Sequence, residues 1–366
     1  MGRLLEDSWG LPKHVCGGRI IPKSFLRASH RLGCLVARGC GILPGMATGE
    51  LDNVQVRPVA AGEEIATLKL LLASWAPQEQ LAQAQRLWQL ARERKVDLAG
   101  LLVAKADGRL VGAIWAQLQA GRTAVVWLPR LADGQPSDLG RLLVQSATEF
   151  LRSQDVRVAQ VLGPERISAE TAWFEANGFA YLAELQYLGC NVAKLVAPTD
   201  AADLSGKPDS AAVPLRFEVY DEASHARLLA TLEATYRDTL DCPALNGVRD
   251  LEDVLEGYRA TGAFAPERWF LVVADDRDVG CLLLADHADN DQYELVYMGI
   301  VPAARGRRFG QLVARFAQSQ TQAAGRSRLV LAVDAANEPA RKMYEACGFT
   351  PWAHRFVWLR QFPAST

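Results

Sequence analysis

A short segment of this chain occurs twice, about half a chain apart. Glu175-Ala-Asn-Gly-Phe179 returns as Glu345-Ala-Cys-Gly-Phe349, at an offset of 170 residues. The same or a nearly equal offset relates three further pairs: Gly140 with Gly310, Leu142 with Leu312, and Gly112 with Gly280. A shared offset over separate segments predicts one fold that is repeated with few insertions.

Both copies show the same order of apolar patterns. In the C-terminal copy we predict strands or helices, in chain order, at 216–219, 224–236, 251–261, 270–274, 279–285, 293–301, 308–324, 329–333, 339–346 and 355–359. The N-terminal copy follows at 54–58, 65–72, 78–94, 101–104, 111–117, 124–128, 139–152, 156–162 and 169–176. This order predicts an α/β fold in each copy, with a mixed, mostly antiparallel sheet and helices on both faces.

The composition divides the chain into four segments. Residues 196–214 are rich in Pro, Ser, Asp and Ala without an apolar period, which is typical of a linker between domains at 53–195 and 215–366. Residues 1–52 form a basic, poorly patterned extension. It is interpreted as disordered, or as translated from a start that precedes a true beginning at Met46. An organellar or regulatory tail is the alternative.

The overall composition excludes several classes of protein. The 366 residues are 49% hydrophobic with a net charge of −2, and no run of 18 apolar residues occurs, so neither a membrane span nor a nucleic-acid surface is expected. The seven cysteines are scattered and odd in number, which is typical of reduced thiols in a cytoplasmic protein. No paired Cys-x-x-Cys spacing supports a metal site, and none is predicted.

A basic, glycine-punctuated turn precedes the apolar helix of the C-terminal copy. Arg305-Gly-Arg-Arg-Phe-Gly310 can direct backbone N–H groups, the helix dipole and guanidinium charge at one bound anion. Such a turn suits the diphosphate of a nucleotide-like cofactor. The alternative is a tight connection with a solvated basic face.

A second motif follows at Asn337-Glu-Pro-Ala-Arg-Lys-Met-Tyr344-Glu-Ala-Cys-Gly348-Phe349. Asn337 is suited to cap a short helix, Pro339 is tolerated in its first turn, and Gly348 ends it. Tyr344 lies on the apolar side of this helix, where core packing is the alternative to a functional role.

Together the two motifs resemble those of the GNAT superfamily of acyl-CoA-dependent N-acyltransferases. The signature Gln/Arg-x-x-Gly-x-Gly/Ala falls on Arg305 to Gly310, and the pattern Asn-x-Pro-Ala-x-x-x-Tyr-x-x-x-Gly-Phe falls on Asn337 to Phe349. The resemblance implies acetyl-CoA as co-substrate and an amine of a small molecule or peptide as acceptor. An acyl-CoA sensor without turnover is the alternative, and a third reading makes the N-terminal copy a protein-interaction module.

The resemblance also implies roles for individual residues. Tyr344 is the expected acid for the leaving thiolate, and Glu294 is the first candidate for the general base, with a solvent-facing strand-end carboxylate as its alternative. Gly299 fits a bulge in the strand that binds the pantetheine arm. The expected cofactor-binding residues are Met298, Gly299, Ile300, Arg305, Gly306, Arg307, Arg308, Phe309, Gly310 and Asn337.

One position departs from the signature. Arg308 replaces the middle glycine, where the backbone comes close to the diphosphate. A negative φ would let the side chain point away, whereas a positive φ would impose strain of about 1–3 kcal/mol. We expect the negative value.

The N-terminal copy lacks the reactive groups. At the offset of 170, Tyr344 maps to Phe174, Glu294 to Ala124 and Arg305 to Gln135. Pro136, Ser137 and Asp138 replace Gly306, Arg307 and Arg308, so positive charge becomes negative and one N–H is lost. We therefore expect acyl-CoA to bind productively in the C-terminal copy alone.

Acceptor recognition is predicted only in outline. The segment 237–247 joins the first two helices of the C-terminal copy and is expected to form the acceptor wall. Asp241 either holds an ammonium group or is a solvated loop aspartate, and Cys242 is interpreted as packing.

Overall fold

The computed structural model describes residues 53–195, 214–245 and 247–363. The predicted extension at 1–52 and all but the last residue of the predicted linker at 196–214 lie outside these ranges. Every strand and helix predicted above is present, with shifted ends at several of them.

The two halves of the chain repeat one order of elements. The N-terminal half contains β1 (Val54–Pro58), α1 (Glu64–Leu71), α2 (Pro77–Arg92), β2 (Leu101–Ala106), β3 (Arg109–Gln119), β4 (Thr123–Val126), β5 (Arg130–Leu131), α3 (Asp138–Arg152), β6 (Val158–Gly163), α4 (Ala169–Ala176) and β7 (Ala180–Asn191). The C-terminal half contains β8 (Arg216–Val219), α5 (His225–Thr235), α6 (Leu251–Arg259), β9 (Trp269–Ala274), β10 (Arg277–His287), β11 (Gln292–Ile300), α7 (Phe309–Ala323), β12 (Arg328–Asp334), α8 (Glu338–Ala346) and β13 (Thr350–Gln361).

The last strand of each half pairs with the other half. In the described residues one continuous sheet has the order β1-β2-β3-β4-β6-β13-β7-β12-β11-β10-β9-β8, and β5 pairs with β3. Thus β13 lies antiparallel between β6 and β7, and β7 lies antiparallel between β13 and β12. The repeat predicts two similar domains, but it does not reveal that they exchange their final strands.

Each exchanged strand contributes side chains to the hydrophobic core of the other half. Trp358 of β13 is fully buried in the core of the N-terminal half, together with Phe362. In return, Leu188 and Cys190 of β7 pack in the core of the C-terminal half. Each half therefore depends on the other for part of its apolar interior.

Helices cover both faces of the sheet, as predicted. In the C-terminal half α5 and α6 pack on one face around Leu232 and Leu255, and α7 and α8 pack on the other around Val313 and Tyr344. The mixed α/β fold class is confirmed. Across the described ranges, none of the helices has the length and apolar character needed to cross a bilayer.

The exchange predicts how the chain responds to a cut between its halves. After cleavage at a protease site introduced within residues 200–210, we expect the two fragments to co-elute in native buffer, because three strand pairings and two shared cores hold them. Size-exclusion chromatography checks this, with the cleaved protein in strong denaturant as the control for complete cutting. Separate elution in native buffer would contradict the exchange.

Candidate active site

A cavity opens where β11 and β12 stop pairing. These parallel strands pair only from Gln292 opposite Arg328 to Glu294 opposite Val330, although β11 continues to Ile300. Beyond that point they enclose a cavity of about 330 Å³. Its walls are formed by the end of α5, the α5–α6 connection, both strands and the start of α8.

The open edge of β11 faces this cavity. Met298, Gly299 and Ile300 line it, and their other edge pairs with β10. Since β12 has diverged here, the backbone groups on the cavity side are placed to hydrogen-bond an extended ligand as a further strand would.

The bulge in β11 lies earlier than predicted. The register against β10 shifts between Leu283 and Leu284, which lie opposite Tyr297 and Leu295, so Val296 is the extra residue. Gly299 is needed for close packing instead, because a Cβ there would lie 2.6 Å from Thr235 Cβ. A bulge re-aims the side chains that follow it, and Val296 performs this role here.

The turn before α7 presents a row of backbone donors. Among the described residues, no backbone acceptor takes the N–H groups of residues 306–310. Gly306 has φ +80°, and space around it is open. Five successive N–H groups at a helix N-terminus form an anion-binding arrangement that suits a diphosphate.

Arg308 does not have the expected backbone conformation. Its φ is +61° and its ψ is 12°, in the left-handed region, where it precedes α7 as the N-cap. The prediction of a negative φ is therefore wrong. A residue with a Cβ is strained there by about 1–2 kcal/mol, and the signature's glycine would not be.

The side chain of Arg305 has a structural role that the sequence did not reveal. Its guanidinium donates to the carbonyl oxygens of Thr235 (2.8 Å), Arg237 (2.8 Å), Asp238 (2.9 Å) and Ile300 (3.1 Å). Instead of converging on a bound anion, it fastens the end of α5 to the end of β11. Three of these carbonyls lie at the C-terminal end of α5, which is a favourable site for a cation.

The other members of the turn lie around the row of donors. Arg307 is partly exposed, with its guanidinium 3.7 Å from an Asp275 carboxylate oxygen and 4.6 Å from the ring centroid of Phe309. Phe309 is buried in the core beneath the turn. Gly310 is the second residue of α7, and a Cβ there would be in van der Waals contact with Met343 on α8, at 3.8 Å.

The second motif forms the opposite wall of the cavity. Asn337 caps α8 by accepting a hydrogen bond from the Ala340 N–H (3.3 Å), and Pro339 lies in the first turn, as predicted. Asn337 and Tyr344 both line the cavity. Burial raises the pKa of Tyr344 well above its usual value, and the nearby charge of Asp241 raises it further. The hydroxyl is thereby kept protonated, as a proton donor requires.

Glu294 lies beside the cavity and does not line it. It is the last residue of β11 paired with β12, and its buried carboxylate is 2.8 Å from His287 Nε2. The expected alternative, a solvent-facing strand end, is wrong. Because Glu294 does not line the cavity, the structure places its carboxylate out of direct contact with a ligand held there.

A tight turn in the α5–α6 connection places a carboxylate in the wall of the cavity. The sequence indicated a role for this carboxylate only weakly. Asp241 lines the cavity, and its Oδ1 accepts a hydrogen bond from the Asp334 N–H (3.1 Å). The Cys242 N–H donates in return to Asp334 Oδ2 (2.8 Å). Ligand atoms of these three residues lie within 4.8 Å of one another, but both Asp334 oxygens accept backbone N–H groups, which explains the cluster without a metal.

Comparison with known proteins agrees with this geometry. Residues 232–349 match the model of the acetyltransferase (GNAT) family. The C-terminal half is a GNAT domain. Two solved structures share the fold: a GCN5-related N-acetyltransferase from Sphaerobacter thermophilus (TM-score 0.56, 16% identity, covering 86% of this chain and 98% of that one) and the glucosamine N-acetyltransferase region of a fungal multi-domain GH3 β-N-acetylglucosaminidase (TM-score 0.57, 15% identity, 87% and 38%).

Curated relatives match at higher identity over part of their length. A mycothiol acetyltransferase from Beutenbergia cavernae is 32% identical over 189 residues, which cover 49% of this chain and 59% of the relative. One from Thermomonospora curvata is 32% identical over 107 residues, covering 29% of this chain and 35% of the relative. The chain thus matches between about a third and three fifths of the length of these relatives.

The GNAT-like N-terminal half differs at the place that corresponds to this cavity. All four residues of β4 pair with β6, so these strands do not diverge within β4. Arg130 on β5 lies within 3.7 Å of the Glu170 carboxylate on α4. In the GNAT domain Glu294 lies opposite Val330, and the corresponding pair in the N-terminal half is Val125 opposite Gln160. The counterpart of Glu294 is therefore Val125, one residue from the predicted Ala124. Neither Val125 nor Ala124 has a carboxylate.

The row of backbone donors is also reduced in that half. The N–H groups of Leu139 and Gly140 donate within their own turn, to Pro136 (3.1 Å) and Ser137 (2.9 Å), and Pro136 has no N–H. Phe174, the counterpart of Tyr344, is fully buried. Three of the five donors of the anion site are therefore missing.

The strained cap predicts a stabilising substitution. Arg308→Gly removes the strain of the left-handed conformation, so we expect the free energy of unfolding to rise by about 0.5–1 kcal/mol after the greater freedom of glycine in the unfolded chain is counted. Urea unfolding measures it. Arg307→Gly, at a position without positive φ, is the matched control and should lower stability by a similar amount. Equal destabilisation by both variants would contradict this account.

Proposed function

We propose that this chain is an acetyl-CoA-dependent N-acetyltransferase that acylates a primary amine of a small molecule or peptide, with its site in the C-terminal GNAT domain. The observation that carries the proposal is one cavity lined by an unpaired strand edge and by Tyr344, next to a turn that presents a row of backbone donors directly after the lining residue Arg305. The GNAT family match and the mycothiol acetyltransferase relatives support the same class of reaction.

The proposed binding mode follows the two backbone features. The N–H groups of residues 306–310 bind the diphosphate at the start of α7, with the charge of Arg307 and Arg308 close by. The pantetheine arm extends along Met298 to Ile300 as an added strand, between β11 and Asn337 on α8. The thioester then lies in the cavity near Tyr344.

The proposed chemistry is direct transfer. The neutral amine nitrogen attacks the thioester carbonyl carbon, the C–S bond breaks, and the thiolate takes the proton of Tyr344. The nitrogen loses one proton when it becomes an amide. We propose that this proton passes through solvent to Glu294, which is paired with His287. Backbone N–H groups at the Val296 bulge are placed to stabilise the oxyanion.

The N-terminal half has a supporting role in this proposal. Its β7 forms the neighbour of β12 in the GNAT domain, and Ala335 donates to Glu184 of that strand (2.8 Å) directly after β12 ends. The wall of the cavity is therefore held by backbone from the half without a site of its own.

Removal of the Tyr344 hydroxyl distinguishes an acetyltransferase from an acyl-CoA sensor that has no turnover. We expect Tyr344→Phe to lower kcat by about 10²–10⁴-fold while CoA binds as in the parent, because the ring packing is kept and only the proton donor is lost. Turnover of acetyl-CoA with a panel of primary amines provides kcat, and calorimetry provides CoA affinity. Tyr293→Phe, on the same sheet and outside the cavity, is the control. Tight CoA binding without turnover in the parent protein would favour the sensor.

The raised pKa of Tyr344 predicts the alkaline limb of the pH profile. A tyrosine pKa raised by burial leaves the hydroxyl protonated well beyond the pH at which an ordinary tyrosine ionises. We therefore expect kcat at saturating amine to show no fall up to pH ~10, near the ordinary tyrosine pKa. A loss of kcat centred near pH 9 that Tyr344→Phe abolishes would contradict this role.

A further inference from the structure

The acceptor side of the cavity is shaped by a strained and firmly anchored turn. Asp238 and Cys242 both have positive φ, +52° and +42°, on either side of Asp241. The Asp241 N–H donates to Thr239 Oγ1 (3.1 Å), and its Oδ1 accepts from the Asp334 N–H (3.1 Å). Positive φ at residues with a Cβ persists only where surrounding contacts enforce it, so the position of Asp241 in the cavity is enforced by the fold.

The exchanged strand is part of this anchor. Asp334 ends β12, pairs with Leu185 of β7, and accepts the Cys242 N–H on Oδ2 (2.8 Å). Cys242 in turn packs against Leu185 and Val357, which belong to the two exchanged strands. The carboxylate of Asp241 is therefore positioned by contacts that both halves supply.

The charges that line the cavity favour a cation. Asp238, Asp241 and Arg305 are its charged lining residues within the described ranges. Arg305 directs its guanidinium at four carbonyl oxygens of the α5 end and β11, so its charge is offset there. The negative charge of Asp241 is close enough to Tyr344 to act on its hydroxyl. A positive group beside Asp241 would lie next to the proposed proton donor.

We propose that Asp241 is the acceptor-binding carboxylate: it binds the amine as an ammonium ion and directs its nitrogen toward the thioester beside Tyr344. This inference rests on the proposed function and adds the substrate class to it. Acceptors are aliphatic amines that are protonated near neutral pH. Asp241 contacts the acceptor. The bound ammonium first loses one proton to solvent to give the neutral amine that attacks, and the second proton, lost when the amide forms, goes to Glu294.

The test uses a charged probe and its neutral isostere. Butylammonium and 1-butanol have the same chain length, and only the first is charged at pH 7. On the full-length protein saturated with CoA, we expect calorimetry to show butylammonium binding that weakens about tenfold or more in Asp241→Asn, whereas butanol binding is equal in both proteins. Asn keeps an oxygen for the Asp334 N–H, so the variant removes charge without removing the anchor. Glu256→Gln, which removes an exposed charge on α6, is the matched control.

Kinetics with butylamine as acceptor separate this inference from the proposed function. In Asp241→Asn we expect the amine KM to rise about tenfold or more and the acetyl-CoA KM to stay unchanged. Equal butylammonium binding in parent and Asp241→Asn, or no binding to the parent, would overturn the inference even if acetyl-CoA is turned over. Failure of the parent to bind CoA would instead overturn the proposed function.

Discussion

The exchange of the final strands is the interaction on which the rest of this structure depends. Because β7 pairs along β12 from Arg328 to Asp334, the strand that borders the cavity is held by backbone from the other half. The end of β12 then fixes the turn that carries Asp241 through Asp334. The N-terminal half thus supports part of the wall of the cavity in the other half.

The two halves differ in the backbone features that border the cavity of the GNAT domain. In the GNAT domain β11 and β12 part after three paired residues, and the α7 turn leaves five N–H groups without a backbone acceptor among the described residues. In the N-terminal half β4 and β6 pair over four residues, two of the corresponding N–H groups are used within the turn, and Arg130 lies 3.7 Å from the Glu170 carboxylate. The N-terminal half therefore lacks part of the row of donors that the GNAT domain has.

Local sequence signals predicted the local structure well. The repeat, the elements, the Asn337 cap and the turn of residues 305–310 follow from spacing and from the conformational preferences of Asn, Pro and Gly. The misses have non-local causes. The guanidinium of Arg305 donates to carbonyl oxygens 67 to 70 residues away in the chain. The φ of Arg308 is fixed by the direction in which the backbone enters α7. Strand exchange leaves no mark in the apolar pattern, because β13 would alternate in the same way beside either partner.

The central claim is that this doubled fold carries one acyl-CoA site, in the GNAT domain. Calorimetric titration of the full-length protein with CoA tests it most directly, because stoichiometry is read without knowledge of the acceptor. One CoA bound per chain is the result this account predicts. Two per chain would contradict it, since the N-terminal half would then bind the cofactor despite its paired strands and reduced row of donors.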